Sequence, residues 1–134
     1  MDAQELGKVA LFKELGEDEV RALATYADEV TVSEGKHLVD EGGYAYDLFV
    51  ILEGTAQVIV GGEVVAELGE GDFFGEAGVM EKQERNATVI AKTRMRLVTL
   101  TGWDLRRMRK QLGPVIAKLE KAIRDRRPEP ADAG

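Results

Sequence analysis

Cysteine is absent from the 134 residues, which excludes a disulfide framework and a thiolate metal site in this chain. Histidine occurs once, as His37. A metal-dependent barrel enzyme draws on a cluster of histidines, so metal catalysis is not expected, and His37 reads as a strand residue facing solvent. No apolar run approaches the length needed to cross a bilayer. Residues 1–8 are polar and acidic and carry no apolar signal segment. The expected setting is the cytoplasm, without membrane contact. Positive charge is also scarce: 18 Lys and Arg against 25 Asp and Glu leave a net charge of −7. A protein that grips DNA by its phosphates shows the opposite balance. DNA binding is therefore not expected, although Lys and Arg gather toward the C-terminus.

The length suits one domain with one core, and no internal repeat divides it. Leu6, Val9 and Ala10 predict a short first helix. Val20, Leu23, Ala24 and Ala27 follow the i, i+3, i+4, i+7 rule and predict a second. Glu17, Asp18 and Glu19 stand in its first turn, at the positive end of the helix dipole. From Glu29 the pattern changes to short strands. Val30 and Val32 alternate with polar neighbours, and further strands are expected at 36–39, 47–53, 57–60, 63–68, 87–91 and 95–100. The strand at 47–53 is continuously apolar in its middle and reads as buried. Gly61-Gly62 is a two-residue hairpin turn that tolerates positive φ.

Helical signal returns after Gly102. Residues 103–111 predict one helix, with Trp103 expected to anchor it to the core. Pro114 suits the first position of another, whose stripe is Leu112, Ile116, Leu119 and Ile123 and which ends before Pro128. The fold class is mainly β with flanking helices: a β-roll or jelly-roll barrel over 28–101, helices over 2–27 and 102–127, and one domain over 1–127. Residues 128–134, rich in Pro, Ala and Asp, are expected to form a flexible tail.

The chemistry concentrates in residues 69–91, GEGDFFGEAGVMEKQERNATVIA. Gly75 lets the backbone approach a ligand closely. Ala77 and Gly78 are small enough to expose backbone N–H groups at the start of a helical turn, an anion site. Arg85 offers a planar fork of donors to a phosphate. An ionised Glu76 only accepts hydrogen bonds, which suits a hydroxyl donor such as a ribose 2′-OH. Taken alone, Glu76 and Arg85 fit a structural ion pair as well as a ligand site. The spacing of Gly69, Gly71 and Gly75 is wrong for a dinucleotide loop and no βαβ unit surrounds it. Asn86-Ala87-Thr88 matches a glycosylation sequon, but no secretory signal accompanies it.

These residues, with the framework Gly35, Gly42, Gly54, Gly71-Asp72 and the opening Leu11-Phe12 and Leu15-Gly16-Glu17-Asp18-Glu19-Val20, resemble the cyclic-nucleotide-binding domain family. That family includes catabolite activator protein, the regulatory subunits of cAMP-dependent protein kinase and cyclic-nucleotide-gated channels. The stretch from Gly75 is similar to its phosphate-binding cassette: Gly-Glu, a short helix of small and apolar residues, Arg with a small residue, then Ala-x-Val. The resemblance implies that Glu76 takes the ribose 2′-OH and Arg85 the cyclic phosphate. It also implies that backbone N–H groups of Ala77 and Gly78 add phosphate contacts, and that Gly75, Asn86 and Ala87 complete the ligand-binding set. Asn86 stands where the family has Ser, Thr or Ala, and Ala77 where it has Leu or Ile.

The function so implied is reversible binding of a cyclic nucleotide by a stand-alone sensor or regulatory domain that signals through its C-terminal helices. The ligand is expected to be cAMP in preference to cGMP, because Asn86 serves the charged phosphate more strongly than a guanine amino group. The resemblance further assigns Leu119 and Ile123 as a lid over the purine. No cofactor, metal or catalytic residue is expected. The partners are the nucleotide and a protein of unknown identity, and the chain is expected as a monomer or weak homodimer. Two readings stand beside this one: a degenerate barrel used for protein interaction, and a cGMP-preferring sensor. The basic run Arg106, Arg107, Arg109 and Lys110 reads as a solvated helix face or a dock for an acidic partner.

Overall fold

The computed structural model describes residues 1–40, 47–75 and 87–126. The chain opens with helix α1 (Ala3–Leu6), a 3-10 turn at Ala10–Phe12 and helix α2 (Glu17–Ala24). The apolar pattern that predicts one first helix is split in two here, with Gly7 as the C-cap of α1. At the start of α2 the Glu19 carboxylate accepts from the Gly16 backbone N–H at 2.8 Å, satisfying one of the donors a helix start leaves free.

Eight strands follow: β1 (Asp28–Val32), β2 (His37–Val39), β3 (Leu48–Glu53), β4 (Ala56–Val60), β5 (Glu63–Leu68), β6 (Phe73–Phe74), β7 (Thr88–Ala91) and β8 (Met95–Leu100). They pair antiparallel into two four-stranded sheets, ordered β1-β8-β3-β6 and β2-β7-β4-β5. Helices α3 (Gly102–Gln111) and α4 (Gly113–Arg126) close the described chain. The two-residue strand β6 escapes sequence reading because it is too short to show alternation. It exists because Phe73 and Phe74 pair with Val50 and Phe49. His37 lies on β2, more than half exposed, with Asp40 2.9 Å away. Gly61 and Gly62 turn the β4–β5 hairpin at φ 58° and 83°, the positive values a two-residue turn of this kind requires.

Two apolar clusters explain the run in β3. Leu48 and Val50 point to one side, where with Val98 and Leu100 of β8 they meet Leu6, Leu11, Phe12, Leu23, Leu105, Met108, Ile116, Leu119 and Ile123 of the helical segments. Ile51 points to the other side, into the space between the sheets, with Val58, Phe74, Val89, Met95 and Leu97. A strand buried on both faces cannot alternate. The register fits: Val50 faces Val98 and Leu48 faces Leu100, while Ile51 faces Leu97.

One expectation is corrected. Trp103 does not anchor α3; it is 73% exposed. The core face of α3 is Leu105 and Met108, three residues apart. Trp103 precedes Leu105 by two positions, and at about 100° per residue two positions lead to the far side of the helix. The helix is fixed instead by its cap, in which the Thr101 hydroxyl accepts from the Asp104 N–H and the Asp104 carboxylate accepts from the Thr101 N–H, each at 3.2 Å.

Candidate nucleotide site

Of the residues assigned to the ligand, Gly75 and Ala87 are described, and Glu76, Ala77, Gly78, Arg85 and Asn86 lie outside the described residues, as does the tail 128–134. The two described ends of the cassette belong to different sheets. Gly75 follows β6, which pairs with β3; Ala87 precedes β7, which pairs with β2 and β4.

Both ends are firmly held. On the Gly75 side, the turn before β6 docks onto β3: the Gly71 N–H donates to the Ile51 carbonyl at 2.8 Å and the Ile51 N–H to the Asp72 carbonyl at 2.9 Å. The Asp72 carboxylate accepts from the Gly69 N–H at 2.8 Å, and Gly71 takes φ 88°. The Phe74 ring stacks on Phe49 with centroids 5.0 Å apart. Gly75 itself has φ 79°, a left-handed backbone that glycine adopts without steric cost. On the other side Ala87 is 4% exposed and packs in the cluster between the sheets. Gly75 and Ala87 are thus each fixed to a sheet, a rigid scaffold of the kind on which binding residues are commonly placed.

The residues expected as a lid, Leu119 and Ile123, lie on α4. Leu119 and Ile123 are 1% and 0% exposed and belong to the helical cluster with Leu6, Leu11, Phe12 and Leu23, whereas Ala87 and Phe74 belong to the cluster between the sheets. In this structure α4 is part of the helical core. Polar links hold it. The Lys118 ammonium donates to the Glu19 carboxylate at 2.7 Å. Near the end of α3, the Tyr26 hydroxyl donates to the Gln111 side-chain oxygen. The Lys118 bond, together with the Gly16 backbone N–H, holds the Glu19 carboxyl below the usual carboxylate range.

Sequence reading missed Arg96, which gathers three carboxylates: Glu5 of α1 at 2.6 Å, Glu29 of β1 at 2.9 Å and Glu53 of β3 at 3.3 Å. Its hydrogen bonds, to Glu29 first, raise the guanidinium further above its ordinary value and lower the Glu29 carboxyl. The signal was available only as a charge on a strand otherwise apolar. Among the described residues no three His, Asp or Glu side chains converge as a metal site, and no helix is long and apolar enough to cross a membrane.

Two facing antiparallel sheets with helices packed on one outer face define a β-roll domain. Residues 29–111 match the model of the cyclic nucleotide-binding domain, and the chain belongs to that family. It is 34% identical over 118 residues to a cAMP-dependent protein kinase regulatory subunit from Yarrowia lipolytica, covering 87% of this chain and 31% of that protein. The chain thus spans about a third of the length of that relative. Among solved structures, a cyclic nucleotide-binding protein from Geobacter metallireducens superposes with a TM-score of 0.80 at 22% identity, over 94% of this chain and 98% of that one, a likeness of fold. A mutant regulatory subunit of a cAMP-independent protein kinase A from Trypanosoma brucei, bound to cAMP, superposes at 0.75 with 26% identity, over 90% of this chain and 45% of that one.

Proposed function

We propose that this domain binds cAMP reversibly, in preference to cGMP, and does not turn it over. Glu76 accepts from the ribose 2′-OH, Arg85 forks onto the cyclic phosphate, and the backbone N–H groups of Ala77 and Gly78 supply further phosphate contacts. Asn86 turns its amide N–H to the phosphate, and one short side chain so oriented does not also aim its carbonyl oxygen at a guanine amino group. The observation that carries this reading is the intact cassette, Gly75-Glu76 and Arg85-Asn86-Ala87, in a chain of this family whose Gly75 and Ala87 are held on opposite sheets. The Yarrowia relative is named for cAMP, which supports the choice of nucleotide.

The packing of α4 supports signal output through the C-terminal helices. If Ile123 covers the purine, it must leave the helical cluster, and the Glu19–Lys118 pair must part as α4 swings. The site would then act by selecting between two packings of α4, in the cytoplasm, in a chain that is a monomer or weak homodimer, with a protein partner reading the result. Calorimetric titration with cAMP and cGMP is the test. Arg85→Ala is expected to weaken cAMP binding at least about tenfold, because it removes a hydrogen bond to a charged group worth about 1.5–3 kcal/mol, while the fold persists. Glu76→Gln is expected to weaken it less, since the amide oxygen still accepts. Unchanged affinity in Arg85→Ala, or displacement of cAMP by a lower concentration of cGMP, overturns the corresponding half of the assignment.

A further inference from the structure

The outer face of α3 has no role in the site above. Trp103, Arg106, Arg107 and Lys110 recur at i, i+3, i+4 and i+7, the spacing of one helix face, and all four are exposed. Trp103 is 73% exposed, unusual for the side chain with most to gain from burial. The Arg106 guanidinium lies 5.2 Å from the centroid of its ring, and that of Arg107 lies 5.4 Å from the ring of Tyr26. Elsewhere on the molecule Arg21, Lys92, Arg96, Lys118 and Lys121 have carboxylate partners. Among the described residues no carboxylate pairs with Arg106, Arg107 or Lys110.

We infer that this face of α3 is a docking surface for an acidic segment of a partner protein. Charge complementarity carries the choice. A chain of net charge −7 repels an acidic partner over most of its surface, and three cations on one helix face with no carboxylate partner among the described residues give such a partner a place to land. The tryptophan and the arginines are the residue types on which interface energy concentrates. The face is also preorganised: Leu105 and Met108 are buried beneath it, and the Gly102 N–H donates to Asp47 at 3.1 Å at the start of the helix. Little ordering cost is then left for binding. A nucleic acid is a poorer occupant, because a phosphate strand wants a basic tract longer than one helix face on a chain of the opposite sign. An anionic membrane is poorer still, since Trp103 is the only apolar group on the face available to insert.

Trp103 is the single tryptophan of the chain, so its emission reports on this face alone. The probe is a panel of peptides of about three helical turns, which match the ~15 Å length of α3. Each is rich in Glu and carries one Leu, Ile or Phe, and matched controls have Gln for every Glu. The acidic peptides are expected to shift the emission to the blue with saturation, and the Gln controls are not. Arg106→Glu combined with Arg107→Glu is expected to lower affinity at least about tenfold, with circular dichroism and thermal unfolding unchanged because both side chains are exposed. Arg106→Lys is expected to retain most of the binding. The proposal is overturned if no peptide in the panel shifts the emission, or if the Gln controls bind equally. It is also overturned if anionic phospholipid vesicles or single-stranded RNA shift the emission and the peptides do not. Sedimentation showing that the free chain dimerises until Trp103→Ala is introduced would assign the face to a second copy, and would overturn it as well.

Discussion

At the scale of single residues, two glycines with nearly the same backbone separate conformational need from spatial need. Gly35 and Gly54 have φ 89° and 94°. A Cβ on Gly35 would meet nothing within 4 Å, whereas on Gly54 it would lie 2.5 Å from the Arg94 carbonyl oxygen and 2.9 Å from Met95. Gly35→Ala is expected to cost about 1–2 kcal/mol of backbone strain. Gly54→Ala is expected to cost about 2–4 kcal/mol, because overpacking against a main-chain atom is added to that strain. Urea unfolding measures both, and equal costs would show that the β3–β4 turn can relax away from residue 94. Both glycines were legible as punctuation in the sequence; that one of them is pressed against a distant strand was not. Trp103 teaches the converse. A lone tryptophan reads as core until the phase of its own helix is fixed, and Leu105 and Met108 fix it the other way.

At the scale of elements, α4 shows what an apolar stripe leaves open. Its stripe of Ile116, Leu119 and Ile123 was legible as an amphipathic face, but periodicity names a buried face without naming what buries it. Here it lies in a cluster with residues of α1, the 3-10 turn, α2 and α3. That sets up a clean discrimination. If Ile123 is a core residue, Ile123→Ala lowers the stability of the nucleotide-free chain by about 2–5 kcal/mol. If it is only a cover over bound nucleotide, that stability stays unchanged and affinity alone falls. The structure leads to the first expectation, with a stability loss seen in urea unfolding without nucleotide. Any added loss of cAMP affinity would then measure the second packing separately. The cassette was more legible than the lid, because Gly75, Glu76 and Arg85 are tied to chemistry by residue type, whereas Leu119 and Ile123 are apolar and serve any apolar surface.

At the scale of the whole molecule, strand existence was local and strand pairing was not. β1 joins β8 across most of the chain, and nothing in the alternation of either strand announces its partner. What pins that distant pairing to the N-terminal helix is Arg96, 27% exposed, with Glu5, Glu29 and Glu53 around it. The pH dependence follows from the direction of the shift. Hydrogen bonding to Arg96 holds the Glu29 carboxyl below its ordinary value in the folded chain. Its stabilising contribution is therefore complete above the unfolded-state pKa and is lost as pH falls through the depressed folded value. Glu19, lowered mainly by Lys118, adds loss of the same sign where α2 meets α4. The melting temperature is thus expected to fall as the solution is acidified below about pH 4.5, the ordinary carboxylate range. Arg96→Met reverses the local logic. Three carboxylates then converge without a cation, their repulsion favours protonation, and acid relieves the variant while it harms the parent. The gap in melting temperature between the parent and Arg96→Met should be widest near neutral pH and should close as pH falls. A gap that stays constant from neutral pH to about pH 3 would mean that Arg96 stabilises the roll by packing its stem and not by its charge.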